Sequence, residues 1–434
     1  MKEIAQRIFR RTLASIDVAA ALSLKLNRSG SLIRAGDEWI DLRKYSRIAA
    51  IAFGKASLAM ASGLADLLPP EIPFEGILVA PQLPPKAFTG WQTFAGGHPV
   101  PTAASFAAGR AILDCLQRCD DRTLVFFLLS GGGSSLVEYP LDPRATLEDF
   151  QKMHSTLVTC GANIEEINTI RKHVSATKGG RLAAAAPRSK KITYAISDVP
   201  EGQESSIASG PTLPDPSTAA DAAQIAARYR LLERFSPLLR AAFESRELPE
   251  TPKAGDPAFE GAHFVRLLGT HELFHAAHHA CESFGFECLC DNSTDNWPLE
   301  KAADKLLADL QMLREMYPGK PVAILANGEL SSPVKGTGVG GRNAAFVLTC
   351  VPKIAGTKIT VLSAGTDGID GNSPAAGAVA DGDALERARS LGLEPVDFLA
   401  RSDSWNYFTR LRDTVTTGPT GNNLRDLRIL LWRE

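Results

Sequence analysis

The sequence predicts an α/β protein of two domains, and three observations carry that expectation. Short apolar, β-branched runs recur between long Ala- and Leu-rich helical stretches. The runs are continuous rather than alternating, as strands of a parallel sheet buried on both faces require. The 434 residues, 44% hydrophobic and 22% charged, hold enough apolar material for sizeable cores.

The elements follow in chain order. The opening stretch MKEIAQRIFRRTLASIDVAAAL has a helical pattern carrying Arg7, Arg10 and Arg11. Glu3, Asp17 and the missing apolar segment make it a first helix rather than a transit peptide. Strands are expected at RIAAIAF from Arg47, GILVA from Gly76, TLVFFLL from Thr123, KITYAIS from Lys191, FVRLLG from Phe264, VAILA from Val322 and KITVLSAG from Lys358, all read as parallel. Between Ser245 and Ala262 three prolines, two glycines and scattered charges interrupt any periodicity, so the domains are expected to be 1–245 and 262–434.

Composition excludes several classes of function. With 47 basic and 49 acidic residues the net charge is −2, which offers no global field for nucleic acid or an anionic membrane. The longest apolar run, Leu124 to Leu129, falls far short of the ~18 residues of a membrane span. Seven cysteines without a CxxC pair read as a reduced, cytoplasmic protein without a zinc ribbon.

Open α/β sheets bind ligands at the carboxyl ends of their strands, so the residues just after each run carry the functional reading. LLSGGGSSL places Ser130, Gly131, Gly132, Gly133, Ser134 and Ser135 between a buried strand and a helical segment, a pattern suited to cradling phosphate. It is not a dinucleotide fingerprint, because the third glycine of GxGxxG would fall at Leu136. FGKAS puts Lys55 at another strand-to-helix turn, but a Walker A loop would need Gly at Ala49 and Ser or Thr at Ala56.

TIRKHVSATKGGRLA gathers Arg171, Lys172, Lys178 and Arg181, either a solvated helix face or, with Gly179-Gly180, an anion-binding turn. KGTGVGGRNAAF sets four glycines before Arg342 and Asn343, a flexible loop ending in a planar fork for phosphate or carboxylate. In SAGTDGIDGN, Asp367 and Asp370 are hard oxygen ligands of the kind Mg²⁺ uses. HELFH at His271 to His275 matches HExxH, yet it directly follows a strand and is read as the start of an ordinary helix with exposed histidines.

Taken together, GGHPVPTAAS, LLSGGGSSL, EEINTIRKHVSATKGGRLA, ISDV with IASGPTLPDPST, the Arg342 loop, TDGIDG and TVTTGPTGNNLRDLRIL resemble the glycerate 2-kinase family, whose C-terminal part is the MOFRL domain. The resemblance implies a Rossmann-like three-layer first domain with a mainly parallel sheet and a smaller MOFRL-type α/β domain, with the active site in a cleft between them. It implies ATP-dependent phosphorylation of the 2-hydroxyl of D-glycerate, with Mg²⁺, by a cytoplasmic enzyme needing neither nucleic acid nor membrane; a homodimer is compatible with it. Lys55, Arg342 and Asp198 are then the catalytic candidates, and Asp198 and Asp367 the metal candidates. Ser130 to Ser135, Lys178, Asn343 and Glu329 would contact substrate or nucleotide.

The chain departs from the family pattern at Glu201, Asn327, Ala344, Ala345 and Pro374, and has Asp295-Asn296-Trp297 where an acidic Gly-Glu-Ala segment is usual. These departures leave open a kinase of another small 2-hydroxy acid. An NAD(P)-dependent hydroxypyruvate reductase and a non-catalytic sensor are the remaining alternatives.

Overall fold

The computed structural model describes residues 1–84, 86, 88–197, 199, 202–245 and 248–434. The chain divides into two compact units, Val18–Leu268 and a second made of Met1–Asp17 with Gly269–Glu434.

The first unit is built on a six-stranded sheet of β1 (Arg47–Phe53), β2 (Phe74–Ala80), β3 (Trp91–Ala95), β4 (Thr123–Leu129), β5 (Lys190–Ile196) and β6 (His263–Leu268). Its order is β3-β2-β1-β4-β5-β6 and every neighbouring pair is parallel. This is the Rossmann order. The continuous apolar runs have the expected cause. Ala49, Ile51, Phe53, Val125, Phe127 and Leu129 pack with Ile112 and Leu116 of the helix Ala103–Gln117 on one face. The alternate residues Ile48, Ala50, Leu124, Phe126 and Leu128 are just as buried on the other.

Local signals start the helices. Capping boxes at Thr102/Ser105, Thr146/Asp149, Asn163/Glu166 and Thr218/Asp221 satisfy amides that the first helical turn leaves unpaired. A small antiparallel meander, Arg28–Ser29, Leu32–Ala35 and Glu38–Asp41, precedes the sheet. Its half-exposed strands give no apolar run to read.

The second sheet holds β7 (Glu287–Asp291), β8 (Val322–Asn327), β9 (Ile359–Gly365), β10 (Gly377–Asp381), β11 (Thr414–Val415) and β12 (Asp426–Trp432) in the order β7-β8-β12-β9-β10-β11. Only β7 and β8 are parallel; the other four pairs are antiparallel. The all-parallel expectation is corrected here, because a continuous apolar run reports burial on both faces and not strand direction. The short link from Gly365 to Gly377 leaves no room for the crossover helix a parallel pair requires. The central strand β12 escaped the reading because Arg428 interrupts it. That side chain is buried, donating to the carbonyls of Gly328 and Asn327 at 2.9 Å each.

The units also differ from the expected boundaries. Residues 263–268 form the edge strand β6 of the first sheet, and the N-terminal helix Lys2–Ser15 belongs to the second unit. That helix buries Ala5, Ile8, Phe9 and Thr12 and packs on the helix Thr270–Glu282. Arg7 and Arg11 lie over the Phe284 ring at 5.0 and 4.8 Å, which gives these two basic residues a packing role. Among the described residues no helix is long and apolar enough to cross a membrane. All seven cysteines are free.

Candidate active site

In the first sheet the strand order reverses between β1 and β4, and such a switch point opens a crevice at the carboxyl ends of the two strands. The register pairs Phe53 with Leu129, so the turn Gly54-Lys55 and the loop from Ser130 leave the sheet side by side. The Ser130 amide donates to the Phe53 carbonyl at 3.2 Å and the Lys55 amide to the Gly131 carbonyl at 3.0 Å. Ser130 is fully buried and its Oγ accepts from the Ala56 amide at 3.0 Å, so this serine joins two turns rather than facing a ligand.

Gly54 has φ of +125°, and a Cβ there would lie 2.5 Å from the Ser130 carbonyl oxygen. Only glycine permits that approach. Gly132, at φ +81°, lies beneath the half-buried Lys55 stem, with a built Cβ 3.4 Å from Lys55 Cγ. Ser134 Oγ lies 2.7 Å from Ser209 Oγ, which donates to Asn168 Oδ1 at 2.9 Å. Ser135 Oγ lies 3.1 Å from Nδ1 of His98. The helical segment expected after the glycines is a single turn, Gly133–Leu136. A phosphate held here would meet loop amides and Lys55 rather than a long helix dipole. Asp198 lies outside the described residues.

The basic cluster sits behind this loop and is neither a solvated face nor a uniform anion site. Lys172 Nζ donates to Asp215 at 3.0 Å, and Arg181 to the carbonyls of Pro249 and Glu250 at 3.2 Å. Lys178, expected to contact substrate or nucleotide, is buried with its Nζ 2.9 Å from Glu138 and 3.1 Å from the Val137 carbonyl. Burial works against ionisation of Glu138, but Lys178 and His154 outweigh it and hold its carboxyl down at about 2. Burial pushes His154 down to about 4, so that ring is neutral at pH 7.

The second unit assembles another polar centre at the ends of β8, β9 and β12. Arg342 begins the helix Arg342–Ile354. Its Nε donates to Asp426 at 2.5 Å and its terminal nitrogen lies 2.9 Å from Glu329. Burial disfavours its charge, but these two carboxylates raise its pKa above the ordinary arginine value. Asn343 donates to Asp426 at 2.9 Å and accepts from Ser363 Oγ at 2.6 Å. Asn327 bonds to Thr270, Leu424 and the Asp426 carbonyl, a structural role.

The two carboxylates of TDGIDG divide their work. Asp370 is buried and caps the helix, accepting from the amides of Asn343 at 3.0 Å and Ala344 at 2.9 Å. Burial, with Asp426 nearby, pushes its pKa up to about 6 despite those amides and Arg342. Asp367 is half-buried on the turn after β9, one oxygen accepting from the Ile369 amide at 3.0 Å. The glycine loop before Arg342 is tied down rather than free. Gly338 N donates to the Arg401 carbonyl at 3.1 Å, Val339 N to Asp403 at 2.9 Å and Gly340 N to Asn372 at 2.8 Å. Beside it opens a cleft of about 320 Å³ lined by Leu299, Val334, Lys335, Arg342, Phe398 and Ser404.

A domain of unknown function, DUF4147, matches residues 4–244, and the MOFRL family matches residues 322–426. The D-glycerate 2-kinase of Thermotoga maritima is 34% identical over 403 residues, covering 91% of this chain and 93% of that one. The glycerate 2-kinase of Pyrococcus horikoshii is 29% identical, covering 99% and 97%. A crystal structure of the Thermotoga maritima glycerate kinase superposes with a TM-score of 0.83 at 30% identity, covering 99% of each chain.

The chain belongs to the glycerate 2-kinase family.

Within that family reading, the histidines of HELFH form no metal centre. Glu272 accepts from the Gly269 amide at 2.8 Å, a helix cap, and no group of three or more His, Cys, Asp or Glu among the described residues could hold a metal ion. Sequence reasoning missed Asp426, Glu138, Asn168 and Ser209. Asp426 lies in TGNNLRDLRIL, but a single acid before an apolar run carries no signal of its own, and only the sheet register brings it to Arg342. Ser209 carried a detectable sign in IASGP, where Ala208 and Ser209 adopt φ of +50° and +62°.

Proposed function

We propose that the protein transfers the γ-phosphoryl group of ATP to the 2-hydroxyl of D-glycerate, releasing ADP and 2-phosphoglycerate, in the cytoplasm. Lys55, set over the glycine loop at the switch point of a Rossmann sheet, carries this reading. Phosphoryl transfer asks a protein mainly for positioning and for positive charge around the equatorial oxygens. Loop amides and the Lys55 ammonium supply both in the first unit. The substrate oxygen bonds to the γ-phosphorus as the bond from that phosphorus to the bridging oxygen breaks, and the hydroxyl proton is lost to a base or solvent.

In the second unit Arg342 would receive phosphoryl charge, with Asp426 and Glu329 setting the plane of its guanidinium. A cleft of about 320 Å³ beside it falls within the roughly 300–1,000 Å³ of small-molecule sites, and suits a nucleotide. Asp367 fits Mg²⁺ in donor chemistry, being a half-buried carboxylate on a strand-end turn rich in hydroxyl and carbonyl oxygens; Asp370 is committed to its helix. When bound, Mg²⁺ neutralises phosphate charge. Asp198 remains the second candidate for holding the metal or orienting the hydroxyl.

The reductase alternative lacks a nucleotide fingerprint: the turn after β1 is Gly-Lys-Ala-Ser, and Leu136 is buried where the third glycine would stand. The test is ADP release over a panel of 2-hydroxy acids with and without Mg²⁺. D-glycerate and Mg²⁺ should both be required, and Lys55→Ala should lower kcat by about 10²–10³-fold. Absence of ADP with every acid, or an unaffected Lys55→Ala, would refute the proposal.

A further inference from the structure

Among the described residues, Arg171 is the one member of the basic cluster without a hydrogen-bond partner, unlike Lys172, Lys178 and Arg181. It is 7% exposed, on the last turns of the helix Ile164–Val174. Its Nε is buried and has no hydrogen-bond partner among the described residues, and Glu138 acts on the guanidinium only through its charge. Arg428 and Arg425 also leave Nε unpartnered, but their terminal nitrogens are taken, by two carbonyls and by Asp295.

The neighbouring carboxylate attracts Arg171 but has no lone pair left to accept from it. One oxygen of Glu138 accepts from the Tyr139 amide at 3.0 Å and from Ser175 Oγ; the other takes His154 Nε2 at 3.1 Å and Lys178 Nζ at 2.9 Å. Those four contacts fill the capacity of a carboxylate. With His154 neutral, this nearly dry cluster holds two cations, Lys178 and Arg171, against one anion. An uncompensated buried cation is costly and is found where a ligand completes the pairing.

The position says which ligand. Asn168, one helical turn before Arg171 and so on the same face, accepts from Ser209, which meets Ser134 of the glycine loop. Arg171 therefore stands on the helix face turned to that loop. A lone guanidinium fork with one excess charge matches a monoanion that binds bidentately. We infer that Arg171 anchors the carboxylate of the acid substrate, an inference that rests on reading this loop as the acceptor site.

The test is calorimetric titration of the full-length protein, without nucleotide, with D-glycerate, uncharged glycerol and inorganic phosphate, in wild type, Arg171→Lys, Arg171→Gln and Arg171→Met. D-glycerate should bind and glycerol should not. Arg171→Gln should weaken D-glycerate about 10- to 100-fold, with Arg171→Lys intermediate and ATP affinity unchanged. Because the cation is unpaired in the free protein, Arg171→Met should melt no lower than wild type, which a structural arginine would not allow. Equal D-glycerate affinity in wild type and Arg171→Gln, a lower melting point for Arg171→Met, or a larger loss for phosphate than for D-glycerate would overturn the assignment. Arg171-dependent D-glycerate binding without any ADP formation would instead refute the kinase reading and leave this one standing.

Discussion

Replacing Gly54 by alanine probes how tightly the glycine loop is held against the turn after β1. The new Cβ would meet Ser130 Oγ first, and would also lie 2.5 Å from the Ser130 carbonyl oxygen and 2.8 Å from its carbon. The backbone contacts are roughly 1 Å inside the contact distance near 3.5 Å, and unlike the Oγ the carbonyl cannot rotate away. The φ of +125° adds strain for any L side chain. Overpacking and strain each cost about 1–3 kcal/mol, so the variant should lose about 2–6 kcal/mol of stability. Ser130 and Gly131 must shift relative to Lys55, and a misplacement of about 1 Å can cost 10²-fold in rate. Gly161→Ala is the control, since Gly161 also has positive φ (+84°) but nothing within 4 Å of a built Cβ. It should lose only about 1 kcal/mol and no activity. Thermal melts and ADP release on both variants, with Gly54→Ala/Ser130→Ala as a partner that leaves the carbonyl in place and should not recover activity, measure the effect. Wild-type melting and turnover in Gly54→Ala, or recovery in the double variant, would refute the reasoning.

Other outcomes follow from the same contacts. Asp426→Asn removes the shortest partner of Arg342 and should cost about 1–2 kcal/mol, less than the 3–5 of a fully buried pair, because the Arg342 side chain is 35% exposed and partly screened. Its kcat for ADP formation should fall about tenfold or more, and unchanged kinetics would mean that Glu329 alone orients the guanidinium. Lys178→Met leaves Glu138 buried without its cation and should destabilise by about 3–5 kcal/mol, read as a lowered melting point. His154 has a folded pKa of about 4 against 6.5 for the free side chain. The unfolded chain therefore binds the extra proton first, and on the order of 3 kcal/mol is lost as pH falls through that window; melts of His154→Gln should show a shallower acid slope. Asp370 has the opposite sign, its pKa raised from 3.8 to about 6, so its unfavourable ionisation removes stability as pH rises across that interval. Asp370→Asn should flatten that component, and an unchanged pH profile would contradict the burial argument.

Much of the first sheet and half of the candidate site were legible in the sequence because the signals are local. Continuous apolar runs, the glycines at 131–133, the capping pairs such as Asn163/Glu166 and the Gly-Lys turn after β1 each depend on neighbours a few residues away. Lys55 and the Ser130 loop were found together because the ligand-binding edge of a parallel sheet lies where its strands end. Asp367 and Asp370 looked equivalent in TDGIDG. Only the helix start at Arg342 gives one of them two backbone amides to cap.

The sequence alone determined the alternation of strands and helices, and with it the α/β class, since burial period and turn chemistry are written in consecutive residues. Tertiary structure decided what depends on partners distant in the chain. Nothing in the apolar stripe of Lys2–Ser15 says which sheet it will join, and the run Asp426–Trp432 does not state its direction. The division of the basic cluster was settled the same way. Lys178 meets Glu138, Lys172 meets Asp215, and Arg171 Nε finds no hydrogen-bond partner among the described residues. A charge is a property of the residue, but whether it is spent on the fold or kept for a ligand depends on what packing brings within hydrogen-bond reach.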